Sequence, residues 1–179
     1  MDYQAIIDFW FDEIESALWW KKDAAFDELI MQRFQAVHQA AARCELFSWR
    51  EHPEGRLAEI IVLDQFSRNI YRDDARAFSC DAMALTLAQE MVLAGLDGEI
   101  YPVMRAFVYM PYMHSESAFI HQQAIRLFDQ PGMESNLDFE QQHKTIIDRF
   151  DRYPHRNEVL GRESTAEELI FLQQPGSSF

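Results

Sequence analysis

Apolar residues return every three or four positions along most of this chain, the spacing of a helix face rather than the alternation of a strand. Near the start, Ile6, Ile7, Trp10 and Phe11 fall on one side of a segment from about Tyr3 to Phe11. Asp23 stands where an N-cap belongs, ahead of a long helix to about Ala42. The stripe of that helix is Phe26, Leu29, Ile30, Phe34, Val37 and Ala41. Pro53 suits a first helical turn and opens a third helix to about Ile70. A fourth, from about Asp81 to Ala94, stops at Gly95, a natural C-terminal cap. A fifth starts at Pro102 and meets Pro111, which predicts its end or a kink. The sixth covers about Ser117 to Phe128, and the seventh about Leu137 to Arg152, before Pro154. The eighth opens at Thr165, which with Glu168 fits the S/T-x-x-E capping box.

These segments predict an all-α chain of about eight helices, with short turns that favour antiparallel pairs. Neither a Ser/Gly-rich linker nor a low-complexity stretch divides it, so residues 1–179 read as one domain with 175–179 as a C-terminal tail.

Composition narrows the classes. Hydrophobic residues make up 48% of the chain, enough for a sizeable core. Thirty acidic residues against 16 basic ones give a net charge of −14. A chain this acidic is repelled by phosphate backbones and by anionic membrane surfaces, which argues against nucleic-acid and membrane partners. The acidic N-terminus is unlike a signal peptide, and two cysteines build no disulfide framework. A cytoplasmic protein is expected.

Some charges continue an apolar face. In "PEGRLAEIIVLDQFSRNIYRDD", Asp64 and Arg68 follow Leu57 and Ile60 or Ile61 on one stripe. Arg72 extends that row, and Gln65 and Asn69 form a polar row beside it. An isolated buried ion costs several kcal/mol, so partners are required. His114 and Glu116 follow the apolar fifth helix, and His143 lies on the stripe Phe139, His143, Ile146, Ile147, Phe150. Beyond the seventh helix, "RYPHRNEVLGRESTAEE" gathers His155, Arg156, Asn157 and Arg162. Arg149 and Arg152 suit the negative end of the helix dipole. Arg156, Asn157 and Arg162 lie past that turn, so they tie the loop to carboxylates such as Asp64 or Glu116, or hold a ligand.

Nucleotide-binding glycine loops, the serine-hydrolase elbow and HExxH are missing from the sequence. Glu140-x-x-His143 is half of a helical di-iron signature without its second half. Neither metal nor cofactor is expected, and no catalytic residue is assigned.

Four ordered motifs, "LDQFSRNIYR", "HSE", "RYPHRNEVLGRESTAEE" and "FLQQPGSSF", resemble an uncharacterised bacterial family, domain-of-unknown-function family 924. The resemblance runs from Phe9 to the last residue and takes in Gln122 and Gly161 beside the residues named above; Met113 stands where an acid is expected before "HSE". It implies a helical-hairpin stack of the tetratricopeptide-like class and no established activity.

Three functions compete. The first is a binding or scaffold module with a site of Asp64, Gln65, Arg68, Asn69, Arg72, His114, Glu116, His155, Arg156, Asn157 and Arg162, taking an acidic peptide or small anion. The chain's own tail, through Phe179 and its carboxylate, is a second candidate occupant. The second function is an enzyme on a small polar or anionic substrate, with His114 or His155 as acid or base held by Glu116 or Asp64. The third is a purely structural salt-bridge network.

Overall fold

Asp23 accepts hydrogen bonds from the main-chain N–H groups of Ala25 and Phe26 and so starts α2 (Ala24–Ala42). The computed structural model describes residues 2–178, and their regular structure is helical. Ahead of α2, α1 (Gln4–Asp8) runs into a π turn, Phe9–Glu13. After it, α3 (Pro53–Ile61), a second π turn (Val62–Phe66) and α4 (Ser67–Ile70) follow without a break, with right-handed helical dihedrals at both junctions. Then come α5 (Asp81–Leu93), α6 (Pro102–Met113), α7 (Ala118–Phe128), α8 (Glu134–Phe150) and α9 (Ala166–Phe171). With α3 and α4 joined, the segments match the eight predicted helices. Gly95 closes the α5 turn at φ 71°, in the left-handed region that glycine tolerates.

The rod of α3, its π turn and α4 is the axis of the packing. Alpha helices α1, α5 and α6 lie against α3, while α2 covers the π turn and α4. Consecutive helices α5, α6, α7 and α8 then pack in series. The core is aromatic: Phe9, Phe34 and Phe66 meet at centroid distances of 4.7 and 5.1 Å, and Trp10 lies 5.5 Å from Phe66. Each such buried ring stabilises the fold by about 1.5–3 kcal/mol. A smaller cluster of Ile146, Ile147 and Tyr153 sits beneath Phe150 and Phe171.

The structure corrects several expectations. Pro111 does not end its helix; α6 continues to Met113. Proline forfeits only its own bond to Phe107, and a helix whose residues 106–113 are all buried keeps its course through packing. Leu29 and Phe139 lie on predicted stripes but are exposed, because the apolar pattern is wider than the face that neighbours cover. Helix α8 ends at Phe150, with Asp151 left-handed at φ 55°. Arg149 therefore stands in the last turn, whereas Arg152 lies beyond it and pairs with Glu168. The Thr165–Glu168 capping box forms in full. In the tail, Ser177 is buried and its hydroxyl donates to the Leu172 carbonyl at 3.2 Å; Phe179 lies outside the described residues. Among the described residues, no helix is long and apolar enough to cross a membrane.

Candidate functional site

The second π turn places Asp64 and Gln65 inward. A π turn holds one residue more than an α turn, which shifts the phase of everything after it, and such turns favour functional positions. Asp64, 1% exposed, gathers three donors: Gln65 Nε2 at 2.6 Å, His114 Nδ1 at 2.8 Å and Arg68 Nη1 at 3.2 Å. Arg68 Nη1 also donates to the Asp64 carbonyl at 2.6 Å, and its fork grips Asp81 at 3.0 and 3.1 Å. Arg156 Nη1 reaches the same Asp81 at 3.5 Å. Its guanidinium is layered between Phe78, at 4.6 Å, and Tyr153, at 4.4 Å. Three elements far apart in sequence are thus joined through alternating acid and base.

Burial pushes the Asp64 carboxyl up, but Arg68, His114 and Gln65 together outweigh it and hold it below the usual carboxylate range. Burial, helped by Arg68, lowers His114 against the pull of Asp64. His114 is therefore neutral at pH 7. Asp64 accepts the Nδ1 proton, which leaves Nε2 as the acceptor nitrogen. Burial and the neighbouring charge of Arg68 also lower Arg156.

A second network fixes the loop after α8. Glu116 accepts the main-chain N–H of Tyr153 at 2.7 Å and both ends of the Arg162 fork, at 2.6 and 2.9 Å. Arg162 also donates to Asn157 Oδ1 at 3.0 Å and to the Tyr153 carbonyl at 3.2 Å. Asn157 in turn donates to Ser164 Oγ at 3.0 Å. Burial raises Glu116, and Arg162 with the Tyr153 N–H outweighs it, for a net lowering. His155 is lowered to about 4, first by burial and then by Arg156, and it meets the main chain of Ser177.

The predicted site is therefore divided. Asp64, Gln65, Arg68, His114 and Arg156 form one network; Glu116, Asn157 and Arg162 form another; His155 lies beside the second. Asn69 and Arg72 belong to neither: Asn69 sits on the α2 side of α4, and Arg72 lies past the end of that helix. Both bind Asp27 there, Asn69 Nδ2 at 2.8 Å and Arg72 through its Nε and Nη2. The half di-iron motif is also split: Glu140 pairs with His121 Nδ1 at 2.7 Å, while His143 Nδ1 meets the Phe139 carbonyl at 2.8 Å. Burial raises Glu140 against the opposing pull of His121.

Sequence reading missed Asp81, Phe78, Asp27, His121 and Tyr153. Asp81 carried one usable signal, an acid in the first turn of a helix. Tyr153 carried none; its hydroxyl donates to the Met113 carbonyl at 2.6 Å across 40 residues.

Beside the second network lies a groove of about 590 Å³ between the loop and α9. Pro154, His155, Arg162, Ser164, Leu169 and Leu172 line it, with Glu158 and Glu163. Asp64, Arg68 and Arg156 do not line it, whereas His155 does. Their side chains instead point into the packed junction of α5, α6 and the loop.

Fold and site together define an all-helical protein whose internal charges are held in arginine–carboxylate networks. The chain belongs to the family described as bacterial protein of unknown function (DUF924), whose pattern matches residues 6–176. It is similar to the solved structure of the protein of unknown function ATU0120 from Agrobacterium tumefaciens, at 39% identity over 96% of each chain and a TM-score of 0.90. No curated protein matches it.

Proposed function

We propose that the protein is a cytoplasmic binding module whose groove beside α9 takes an extended peptide carrying an acidic group. The observation that carries this reading is the state of Arg162 at the groove. A guanidinium has five N–H groups. Among the described residues four are used, by Glu116 twice, Tyr153 and Asn157, which leaves one on Nη1. Ser164 Oγ accepts from Asn157, so its hydroxyl proton remains to be given. One N–H and one O–H on residues that line the groove are then donors for a single carboxylate.

Leu169 and Leu172 supply an apolar wall, and peptide grooves combine such walls with a few oriented polar groups. Glu158 and Glu163 repel a second negative charge and favour a basic neighbour in the peptide. The free thiols Cys44 and Cys80 suit a reducing compartment. The catalytic alternative has less support: His114, the imidazole held by Asp64, does not line this groove, and His155, which does, is lowered by burial to about 4, well below the range of a base working near neutral pH.

A displayed peptide library tests the proposal. Acidic peptides with an apolar residue should be enriched, and Leu169→Asp and Ser164→Ala should each weaken their binding about tenfold or more. Leu169 is 54% exposed, so its replacement leaves the fold intact. Binders that ignore both substitutions, or a library that yields none, would sink the idea.

A further inference from the structure

Helices α7 and α8 meet around a pair of ionisable side chains, His121 and Glu140, both fully buried. His121 Nδ1 lies 2.7 Å from Glu140 Oε1, and its Nε2 lies 2.8 Å from the Ser115 carbonyl oxygen. A carbonyl oxygen only accepts, so Nε2 carries a proton. The Tyr153 hydroxyl leads to the same placement. It gives its own proton to the Met113 carbonyl and can only accept from Nε2, 3.3 Å away. With Nε2 protonated, the short contact between Nδ1 and Oε1 needs one further proton, because otherwise two acceptors face each other.

Two observations favour the carboxyl as the seat of that proton. Glu140 Oε2 is buried and without a partner among the described residues, which a neutral acid tolerates far better than a carboxylate. Burial also raises the Glu140 carboxyl, more than His121 and Lys144 lower it. The other ionisable groups around the couple are His143 and Lys144 on α8, His114 and Glu116 at the corner between α6 and α7, and Tyr153 on the loop after α8. Burial keeps His143 and His114 neutral and raises the Tyr153 phenol. Lys144 pairs with Asp148, and Glu116 pairs with Arg162. Above neutral pH, therefore, the couple itself is the first of these groups to titrate.

We propose that His121 and Glu140 form a proton-operated switch on the corner between α6 and α7. With the shared proton in place, Glu140 donates to Nδ1, and the Nε2 proton holds the Ser115 carbonyl. When a base in solution removes the shared proton, one imidazole N–H is left for two acceptors. A bond to a carboxylate is roughly twice as strong as one to a neutral carbonyl, so the ring proton passes from Nε2 to Nδ1. Ser115 is only half-buried, and water takes over its carbonyl. The next residue, Glu116, holds the Tyr153 N–H and the Arg162 fork. Release of the corner therefore shifts the arginine that borders the groove, whatever the groove binds.

Nitrogen NMR of the intact protein tests the switch by following both ring nitrogens of His121 as the pH rises. At about pH 7, Nδ1 should resonate as an unprotonated nitrogen and Nε2 as a protonated one. At higher pH the two should exchange roles. The amide signals of Ser115 and Glu116 and the Nε signal of Arg162 should move with the same midpoint. In Glu140→Gln a side-chain N–H donates to Nδ1 permanently, so ring and corner should stay fixed at every pH. Both nitrogens protonated near neutral pH, or no exchange of roles up to the pH of unfolding, would overturn the proposal. So would corner signals that ignore the exchange, or a Glu140→Gln protein that titrates as the parent does. The parent spectrum decides even where that variant does not fold.

Discussion

Asp64 shows how much one carboxylate is asked to do. It is fully enclosed, and its charge is held by Arg68, His114 and Gln65. Arg68→Ala should strand that charge and cost about 3–5 kcal/mol, read as a lowered urea midpoint. A loss under about 1 kcal/mol would mean that water already reaches Asp64. The same residues show what a sequence makes legible. Asp64 and Arg68 are visible because charges on an apolar stripe demand partners. The partner Asp81 is not visible, since nothing local marks which acid a guanidinium will meet after the helices pack. Asn69 and Arg72 mislead for a related reason: the helical row extended to Arg72 assumes a helix that in fact stops at Ile70, and both residues meet Asp27 of α2, which no local signal marks.

Helices were legible where caps and periodicity agreed. Asp23, Gly95 and the Thr165–Glu168 box each mark an element end by a local hydrogen-bonding rule, so tertiary context had little to change. Pro111 failed as a stop because the burial of α6 overrides a local rule. Gly55 gave no warning at all. An Ala Cβ there would stand 2.0 Å from the Trp49 carbonyl oxygen. Alanine in place of a helical glycine normally stabilises by about 0.5–1 kcal/mol. Gly55→Ala should reverse that sign and cost about 1–3 kcal/mol by chemical denaturation, because the clash is with main chain. An unchanged or higher midpoint would show that α3 can slide away from Trp49.

At the scale of the whole molecule, buried imidazoles set the response to acid. Burial lowers His143 to about 3 and His155 to about 4, while an unfolded histidine titrates near pH ~6.5. Both folded values lie below the unfolded one. Their stabilisation is therefore complete above about pH 6.5 and is lost as the pH falls toward the folded values. Between pH 7 and 5 each should cost about 1–2 kcal/mol, and replacing both by Gln should flatten the profile. A parent protein equally stable at both pH values would refute the assignment. Asp64 and Glu168, the latter held at about 2 chiefly by Arg152, are also depressed, so their contribution disappears only below about pH 4. The contact of Arg156 with Asp81, 75 residues away, has a consequence in time. A bond between such distant positions closes only after most of the chain has collapsed. It is expected to form after the folding transition state, as a late latch. Arg156→Met should leave the refolding rate unchanged and speed unfolding about tenfold in stopped-flow measurements, so that this guanidinium governs how long the folded molecule lasts rather than how quickly it forms.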